Sequence, residues 1–305
     1  MEDSVVANMT QIYSHKDTHY QVRPDLNDDW SMRLNQAPNQ KQINTFRQGR
    51  VNTRSEIRKQ LALRNNLEKR FFKNLNTLLR KFVRVQMHLY KEYGIYQPAI
   101  AERTLQEDFF PLVLSHYRRV FLAMYKMNED KYYNKKQEAF VFGRSTDFES
   151  VVNTYFNSRQ LILSGITERM ANRISQVIEQ GRADNLTLPQ IAKLVSDKFL
   201  PISRSRAALI SRTETHNATG FSNHSYHLQV QRDLGTKMLK RWVATGDDRT
   251  RPTHAEASGQ TVDIDENFLI GGAEMEFAGD SKGGAKNVVN CRCVIVYADE
   301  RDIMD

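Results

Sequence analysis

The chain has 305 residues, a formal net charge of +8 at pH 7 and a sequence pI near 9.4. Its two cysteines exclude a disulfide-rich scaffold, and it has no apolar run of the roughly 18–20 residues needed to cross a bilayer. The basic excess favours an anionic partner, nucleic acid above all. Because the first residues lack the basic and apolar regions of a signal peptide, we expect synthesis in a reducing cytoplasm.

Residues 1–40 are polar and contain few aliphatic side chains. Such a composition buries too little apolar surface to offset the entropy that ordering costs. The composition therefore predicts a flexible N-terminal arm that is ordered by a partner. A basic helical region follows, and we delimit it as residues 41–145.

The strongest helix pattern of that region runs over residues 42–93. Apolar side chains recur at three- and four-residue steps between Leu61 and Leu89, which is typical of an amphipathic helix. The polar face carries few acids, so it is either a solvated face or a contact surface for nucleic acid or an acidic protein. The basic residues expected to make that contact are Arg54, Arg58, Arg64, Arg70, Lys73, Arg80, Lys81 and Arg84.

Two further helices are predicted over residues 98–136 and 147–180. The first carries aromatic residues at helical spacing, which indicates rings in the core rather than rings that stack on bases. Gly181 is predicted to cap the second helix, because glycine readily adopts the left-handed conformation found at helix ends.

A capping box formed by Thr187 and Gln190 predicts the start of the next helix. Pro201 is expected to end that helix, and Ser203 to begin another that reaches about residue 230. Two helices joined at Pro201 form either an ordinary helical hairpin or a helix-turn-helix that binds DNA.

The periodicity shortens after Gly235 to that of β-strands. Strands are predicted over residues 240–245, 261–264 and 288–297, with a glycine-rich loop between the last two. Residues 236–305 then form a small strand and loop unit. The predicted fold class is α+β, mainly α, with a helical N-terminal and central body and a small C-terminal β unit.

A candidate metal site lies in this C-terminal unit. His254, Cys291 and Cys293 would supply one imidazole and two thiolates to Zn²⁺. A structural zinc site has four ligands, and the fourth would be Asp247, Asp248 or water. The alternatives are buried thiols without a metal and a strained disulfide. We therefore expect no cofactor, with structural zinc as the exception.

The same residues leave an enzyme open. A metal-dependent nuclease or hydrolase would use Asp247, Asp248, His254 and the cysteines. The alternative for the two acids is a turn after Gly246, in which nearby arginines pair with them. The sequence contains no phosphate-binding loop and no nucleophile elbow, and the cysteines are predicted to lie inside a strand. The prediction is a protein that is not an enzyme.

Three histidines lie close together in the last predicted helix. His224 and His227 are three positions apart and so share a helix face. No acid stands at the offset of a zinc-protease motif. We therefore predict that these two residues and His216 lie at the surface or in an interface.

A set of short segments occurs in a fixed order in the C-terminal half of the chain. They are residues 205–215 (SRAALISRTET), 240–245 (KRWVAT), 248–254 (DRTRPTH) with Gly259, and 290–293 (NCRC). Together they resemble the phage Mu protein F-like family of head morphogenesis proteins, over about residues 150–297. Residues 146–235 would be the helical part of that domain. Many relatives place Cys-x-x-Cys where this chain has Arg251-Pro-Thr-His254, so arginine stands here in the first position.

The resemblance implies a minor capsid protein of a tailed phage. Such proteins associate with the portal vertex and assist head assembly and DNA packaging or delivery. The implied partners are the portal protein, the major capsid or scaffold proteins and packaged double-stranded DNA, with no membrane. The implied location is the virion, in the capsid interior or at the portal vertex, after assembly in the host cytoplasm. The domain itself implies no enzymatic activity, although some proteins fuse it to toxin-like enzymes.

Overall fold

The computed structural model describes residues 53–132 and 148–299. Its architecture is mainly α with a small C-terminal sheet, which confirms the predicted fold class. The predicted N-terminal arm lies outside the described residues. So do residues 42–52 of the first predicted helix and residues 133–136 of the second. No described helix combines the length and the apolar character that a membrane span requires.

The body consists of long helices. They are α1 (Thr53–Tyr93), α2 (Pro98–Tyr132), α3 (Phe148–Ala183) and α4 (Leu188–Leu234). Helix α4 is central, because α1, α2 and α3 all pack against it. The aromatic residues of α2 are in the core as predicted, and Tyr155 of α3 stacks on Phe221 of α4 with ring centroids 4.6 Å apart. Burying each such ring stabilises the fold by roughly 1.5–3 kcal/mol.

The junction of α3 and α4 corrects one prediction. Gly181 lies inside α3 and does not cap it, whereas Asn185 takes the left-handed conformation with φ 57°. A Cβ at position 181 would lie 2.8 Å from Cγ1 of Ile191, so glycine here permits the two helices to approach closely. The capping box is confirmed, since the Thr187 backbone N–H donates to Oε1 of Gln190 at 2.8 Å.

Pro201 does not end a helix, and the predicted helical hairpin is wrong. Helix α4 runs through Pro201 without a turn, so no helix-turn-helix forms at this position. Proline removes one backbone donor, and neighbouring side chains bond the carbonyls around it. The Ser203 hydroxyl donates to the Phe199 carbonyl at 2.7 Å, and Arg80 of α1 donates to the Leu200 carbonyl at 3.4 Å.

The C-terminal unit begins after Gly235, whose φ of 58° ends α4. Strand β1 (Met238–Val243) is the centre of an antiparallel sheet, between β2 (Thr261–Asp263) and β5 (Val294–Asp299). A separate hairpin pairs β3 (Phe268–Ile270) with β4 (Ala273–Met275). Two of the predicted strands are therefore confirmed, and the third is shorter than predicted.

Short helices complete this unit. They are α5 (Pro252–Glu256), a 3₁₀ turn (Ser281–Gly283) and α6 (Gly284–Val288). Cys291 and Cys293 lie in the loop between α6 and β5, so their placement inside a strand was wrong. Asn290 lies in the turn after α6 and adopts a φ of 61°, which a β-strand does not have. Gly220 marks the contact with α4, because a Cβ there would lie 2.3 Å from the Ala278 carbonyl oxygen.

Candidate metal centre and basic surface

The structure brings the three predicted metal ligands together. His254 stands on α5, and Cys291 and Cys293 stand in the loop before β5. All three side chains are buried, and their ligand atoms lie within 4.8 Å of one another. Nδ1 of His254 is 3.4 Å from Sγ of Cys293 and 3.6 Å from Sγ of Cys291. The Trp242 ring meets the imidazole edge-on at 5.5 Å between centroids and closes one side of the cluster.

These separations fit a tetrahedral zinc site. Zinc bonds of about 2.0–2.1 Å to nitrogen and about 2.3 Å to sulfur place the two donor atoms roughly 3.6 Å apart at a tetrahedral angle. The observed distances of 3.4 and 3.6 Å agree with that value. The described residues thus supply three of the four ligands that a structural zinc site uses.

Neither predicted carboxylate lies in the cluster. Asp247 forms an ion pair with Arg292 at 2.5 Å, and Asp248 is exposed. The segment has the geometry of a turn, because the Thr250 N–H donates to the Asp247 carbonyl at 2.9 Å. The Arg249 N–H also donates to Oδ1 of Asp247 at 3.2 Å. These contacts agree with the alternative in which the two acids belong to a turn and an arginine pairs with them.

Arg64 of α1 contacts the loop that carries the two cysteines. It was predicted to lie on the exposed basic face of α1, and this prediction is wrong. Its side chain is buried on the apolar side of α1, and it donates to the carbonyls of Arg292 at 3.0 Å and Cys293 at 3.3 Å. Its Nη1 also lies 2.8 Å from Nδ1 of His216. Arginine only donates, so this Nδ1 accepts and the proton of a neutral His216 is on Nε2. A buried Arg64 is in no position to contact DNA.

The local electrostatics favour a thiolate at Cys291. A hydrogen bond with Cys293, together with His216 and His254, holds the pKa of the Cys291 thiol well below its usual range, although burial opposes this. The same hydrogen bond and burial raise the pKa of Cys293. Burial lowers the pKa of His216, which is therefore neutral. Thiolate is the form of cysteine that binds metals.

Two further arginines fasten the loop that carries the cysteines. Arg251 donates to the Val289 carbonyl at 2.5 Å, and Arg212 of α4 donates to Oδ1 of Asn290 at 2.9 Å. Arg251 occupies the first position of the segment Arg251-Pro-Thr-His254, where the family resemblance implies cysteine in many relatives. In this chain that position bonds the loop through a guanidinium group and not through a thiolate.

The three histidines of α4 are buried inside the chain, which corrects their predicted position at the surface or in an interface with a partner. His227 stacks on the Tyr297 ring of β5 with centroids 4.1 Å apart. His224 lies 3.4 Å from the Tyr297 hydroxyl, and burial lowers its pKa to about 3. The sequence pattern could not show this, because Tyr297 of β5, which contacts His224 and His227, comes much later in the chain.

The outer face of α1 carries most of the predicted basic contact residues. The helix holds eleven lysines and arginines against three glutamates, a surplus of eight that equals the net charge of the whole chain. Those that are exposed are Arg54, Arg58, Arg70, Lys73 and Arg84, and those that are half-buried are Arg80 and Lys81. Of the three glutamates, Glu68 forms an ion pair with Arg212 of α4 at 3.3 Å.

The C-terminal half of the chain is similar to known proteins. The family described as Phage Mu protein F like protein matches residues 168–296. The chain is 31% identical over 152 residues to the minor head protein GP7 of Bacillus phage SPP1, covering 47% of each protein. It is 30% identical over 129 residues, 42% of this chain and 26% of the relative, to the NAD(+)--arginine ADP-ribosyltransferase EFV of Enterococcus faecalis (strain ATCC 700802 / V583).

The chain therefore spans about half or less of the length of these relatives. No solved structure is significantly similar to it. The family match begins in α3 and ends in β5, so it includes α4, the histidine and cysteine cluster and the sheet. The predicted resemblance is confirmed, because residues 168–296 match the Phage Mu protein F-like family.

Proposed function

We propose that the protein is a minor head protein of a tailed phage, that it resides in the virion and that its role is structural. The observation that carries this proposal is the combined match to the Mu protein F-like family and to the minor head protein of phage SPP1. Within that role it associates with the portal vertex and assists head assembly and DNA packaging or delivery. Its partners are the portal protein, the major capsid or scaffold proteins and packaged DNA.

Hydrogen bonds between the family region and one face of the basic helix support a DNA contact by the opposite face. Gln60 of α1 donates to the Ile295 carbonyl of β5 at 3.0 Å, and Arg64 bonds the cysteine loop. These bonds leave the opposite face of α1, with Arg58, Lys73 and Arg84, turned outward. We propose that this face binds the phosphate backbone of the packaged DNA.

Duplex binding at several salt concentrations tests the contact. Binding of the purified chain to a random-sequence duplex should weaken steeply between about 50 and 200 mM salt, with a log–log slope near −0.9 per neutralised phosphate. The variant Arg58→Gln/Lys73→Gln/Arg84→Gln should bind less tightly. Its slope should be shallower by an amount that corresponds to up to about three phosphate contacts.

The matched control removes the same charge elsewhere. Arg103→Gln/Lys198→Gln/Arg249→Gln changes three exposed basic residues outside α1, and its slope should stay close to that of the wild type. Equal losses in both variants would reduce the effect to net charge and contradict a specific face. If the α1 variant keeps its DNA affinity but loses binding to purified portal protein, the anionic partner is the portal.

Particle composition tests the virion location directly. In virions purified from the phage that encodes this chain, quantitative mass spectrometry should find it at far fewer copies than the major capsid protein. Cryo-electron microscopy of the same particles should place its density at the portal vertex. A chain that is present in infected cells but missing from washed particles would contradict the proposal.

We also propose that His254, Cys291 and Cys293 bind one Zn²⁺ in a structural role. The buried donors and their tetrahedral separations support this, and Arg64 and His216 would steady the Cys291 thiolate. Elemental analysis of protein made with added zinc should find about one metal ion per chain, and Cys293→Ser should lose it. Metal-free protein that unfolds at the same temperature would favour plain buried thiols.

A structural zinc site and a nuclease site at His254, Cys291 and Cys293 lead to opposite expectations for DNA cleavage. Catalytic zinc keeps a coordination position open to substrate, whereas all three donors here are at most 2% exposed. We therefore expect no cleavage of DNA by the zinc-loaded or magnesium-supplied protein. Metal-dependent cleavage that disappears in Asp248→Ala/His254→Ala would establish the enzyme instead.

A further inference from the structure

An apolar groove with arginines on one rim lies between α3, α4 and the C-terminal unit, away from the basic face of α1. It encloses about 390 Å³. Its aliphatic lining consists of Ile162, Ile166, Leu209, Ile210, Val288 and Val289. Ile162 is 42% exposed although it is an isoleucine in the middle of a long helix. An exposed, concave aliphatic surface of this kind is typical of a protein docking site.

The base of the groove is fully paired. Arg159 and Glu214 form a buried ion pair at 2.8 Å, and Tyr117 donates to the same carboxylate at 2.5 Å. The groove therefore offers no free charge at its base. An occupant has to contribute aliphatic side chains there.

The rim is different, because it carries positive charge without acids. Arg169 and Arg173 follow Ile162 and Ile166 along one face of α3, and Arg206 faces them from α4. In the part of the chain that the structure describes, none of the three arginines has an ion pair. Burial lowers the pKa of Arg206, and the positive charges of Arg173 and Arg169 lower it further. A carboxylate between them would relieve this repulsion.

We propose that the groove docks an acidic amphipathic helix of a partner protein, whose aliphatic side chains fill the groove and whose carboxylates pair with Arg169, Arg173 and Arg206. The aliphatic lining favours a protein over nucleic acid, because aliphatic side chains offer no hydrogen bonds to phosphates or base edges. The net charge of +8 disfavours a second copy of this chain at an arginine-rich rim. This proposal does not depend on a DNA contact by α1.

A display library of amphipathic helices tests both the shape and the charge. In the library the aliphatic positions at i, i+3, i+4 and i+7 are fixed, and the remaining positions vary among Glu, Lys, Gln and Ser. Selection on the full chain should enrich helices with an excess of Glu over Lys. Their affinity should fall at least about tenfold for Ile162→Asp and for Arg169→Glu/Arg206→Glu. A new selection on the double arginine variant should enrich Lys.

Matched controls separate the groove from its surroundings. Leu161→Asp adds the same charge one residue away at an 86% exposed position outside the groove, and Arg204→Glu reverses a charge two residues before Arg206. Both controls should bind the selected helices as the wild type does, and circular dichroism checks that every variant is folded.

Several results would overturn the proposal. They are a selection that yields no binders, binders without an excess of Glu, binders that ignore Ile162→Asp, and displacement of the binders by duplex DNA. Concentration-dependent dimerisation that Ile162→Asp abolishes would assign the groove to a second copy and would likewise overturn it.

Discussion

The outer face of α1 and the interior along α4 both use charged and polar residues, but in opposite settings. On α1 the basic side chains Arg58, Lys73 and Arg84 project outward. Along α4, from Ser211 to Gln229, most residues are polar and yet buried between the other helices and the sheet. Their partners include Arg64 of α1, Arg159 of α3, and Tyr117 and His116 of α2.

The difference shows that burial, and not residue type, decides what an arginine does in this protein. An exposed arginine adds little to stability and remains available for a partner. A buried arginine is part of a network in which the loss of one member leaves another charge or polar group uncompensated. Variants that remove one member from each setting therefore separate folding from binding.

The largest expected effect is at the buried ion pair. Among the described residues, Arg159→Leu leaves the buried Glu214 carboxylate only the Tyr117 hydroxyl as a hydrogen-bond partner. It should destabilise the protein by about 3–5 kcal/mol. Urea unfolding followed by circular dichroism measures this. Arg173→Leu, an exposed change on the same helix, should leave the midpoint nearly unchanged.

A double variant sharpens this result. Arg159→Leu/Glu214→Leu removes both charges, so it should recover part of the stability that the single variant loses. If the single variant is as stable as the wild type, the Glu214 carboxylate is hydrated or protonated in the variant. The interior is then more accessible to water than the structure indicates.

Two arginines on α1 provide the sharpest comparison within one helix. Arg64→Leu removes the donor to the Arg292 and Cys293 carbonyls and to His216, and should cost about 2–3 kcal/mol. Arg58→Leu, an exposed change six residues earlier, should not lower the unfolding midpoint measurably. Similar losses for both would mean that the cysteine loop does not depend on its contact with α1.

Because of its buried histidines, the protein should lose stability as the pH falls below neutral. His116 stacks on Phe71 with centroids 4.0 Å apart and bonds the Thr215 hydroxyl, and burial lowers its pKa to about 3. The unfolded chain takes up this proton below a pKa of about 6.5 and the folded chain does not, so stability falls as the pH drops from 6.5 towards 3.

This single group should cost about 2 kcal/mol between pH 7 and pH 5. His116→Leu should therefore reduce the difference between urea unfolding free energies at these two pH values by about that amount. His88→Leu, which changes an exposed histidine of α1, should leave the difference as it is in the wild type. An unaltered difference in His116→Leu would assign the acid sensitivity to other groups.

The sequence predicted the helices, the two early strands and the proximity of His254 to the cysteines, because periodicity and motif order carry that information. It could not show that α4 continues through Pro201, because packing against α1 decides this. The position of Arg64 was available in principle, since it precedes Leu67 by three residues and so lies on the apolar stripe. Counting basic residues without that periodicity placed it on the wrong face.

The smallest expected effect on stability is at the face proposed to bind DNA. Arg58→Gln/Lys73→Gln/Arg84→Gln replaces exposed side chains by one of similar helix propensity and relieves repulsion among like charges. Its melting temperature should equal or slightly exceed that of the wild type at about 0.01 M ionic strength, where the Debye length is about 30 Å. The difference should vanish at about 1 M, where the Debye length is about 3 Å. A clear loss of stability at both salt concentrations would show that these side chains hold the fold, and any loss of DNA binding in the same variant would then follow from unfolding and not from a missing phosphate contact.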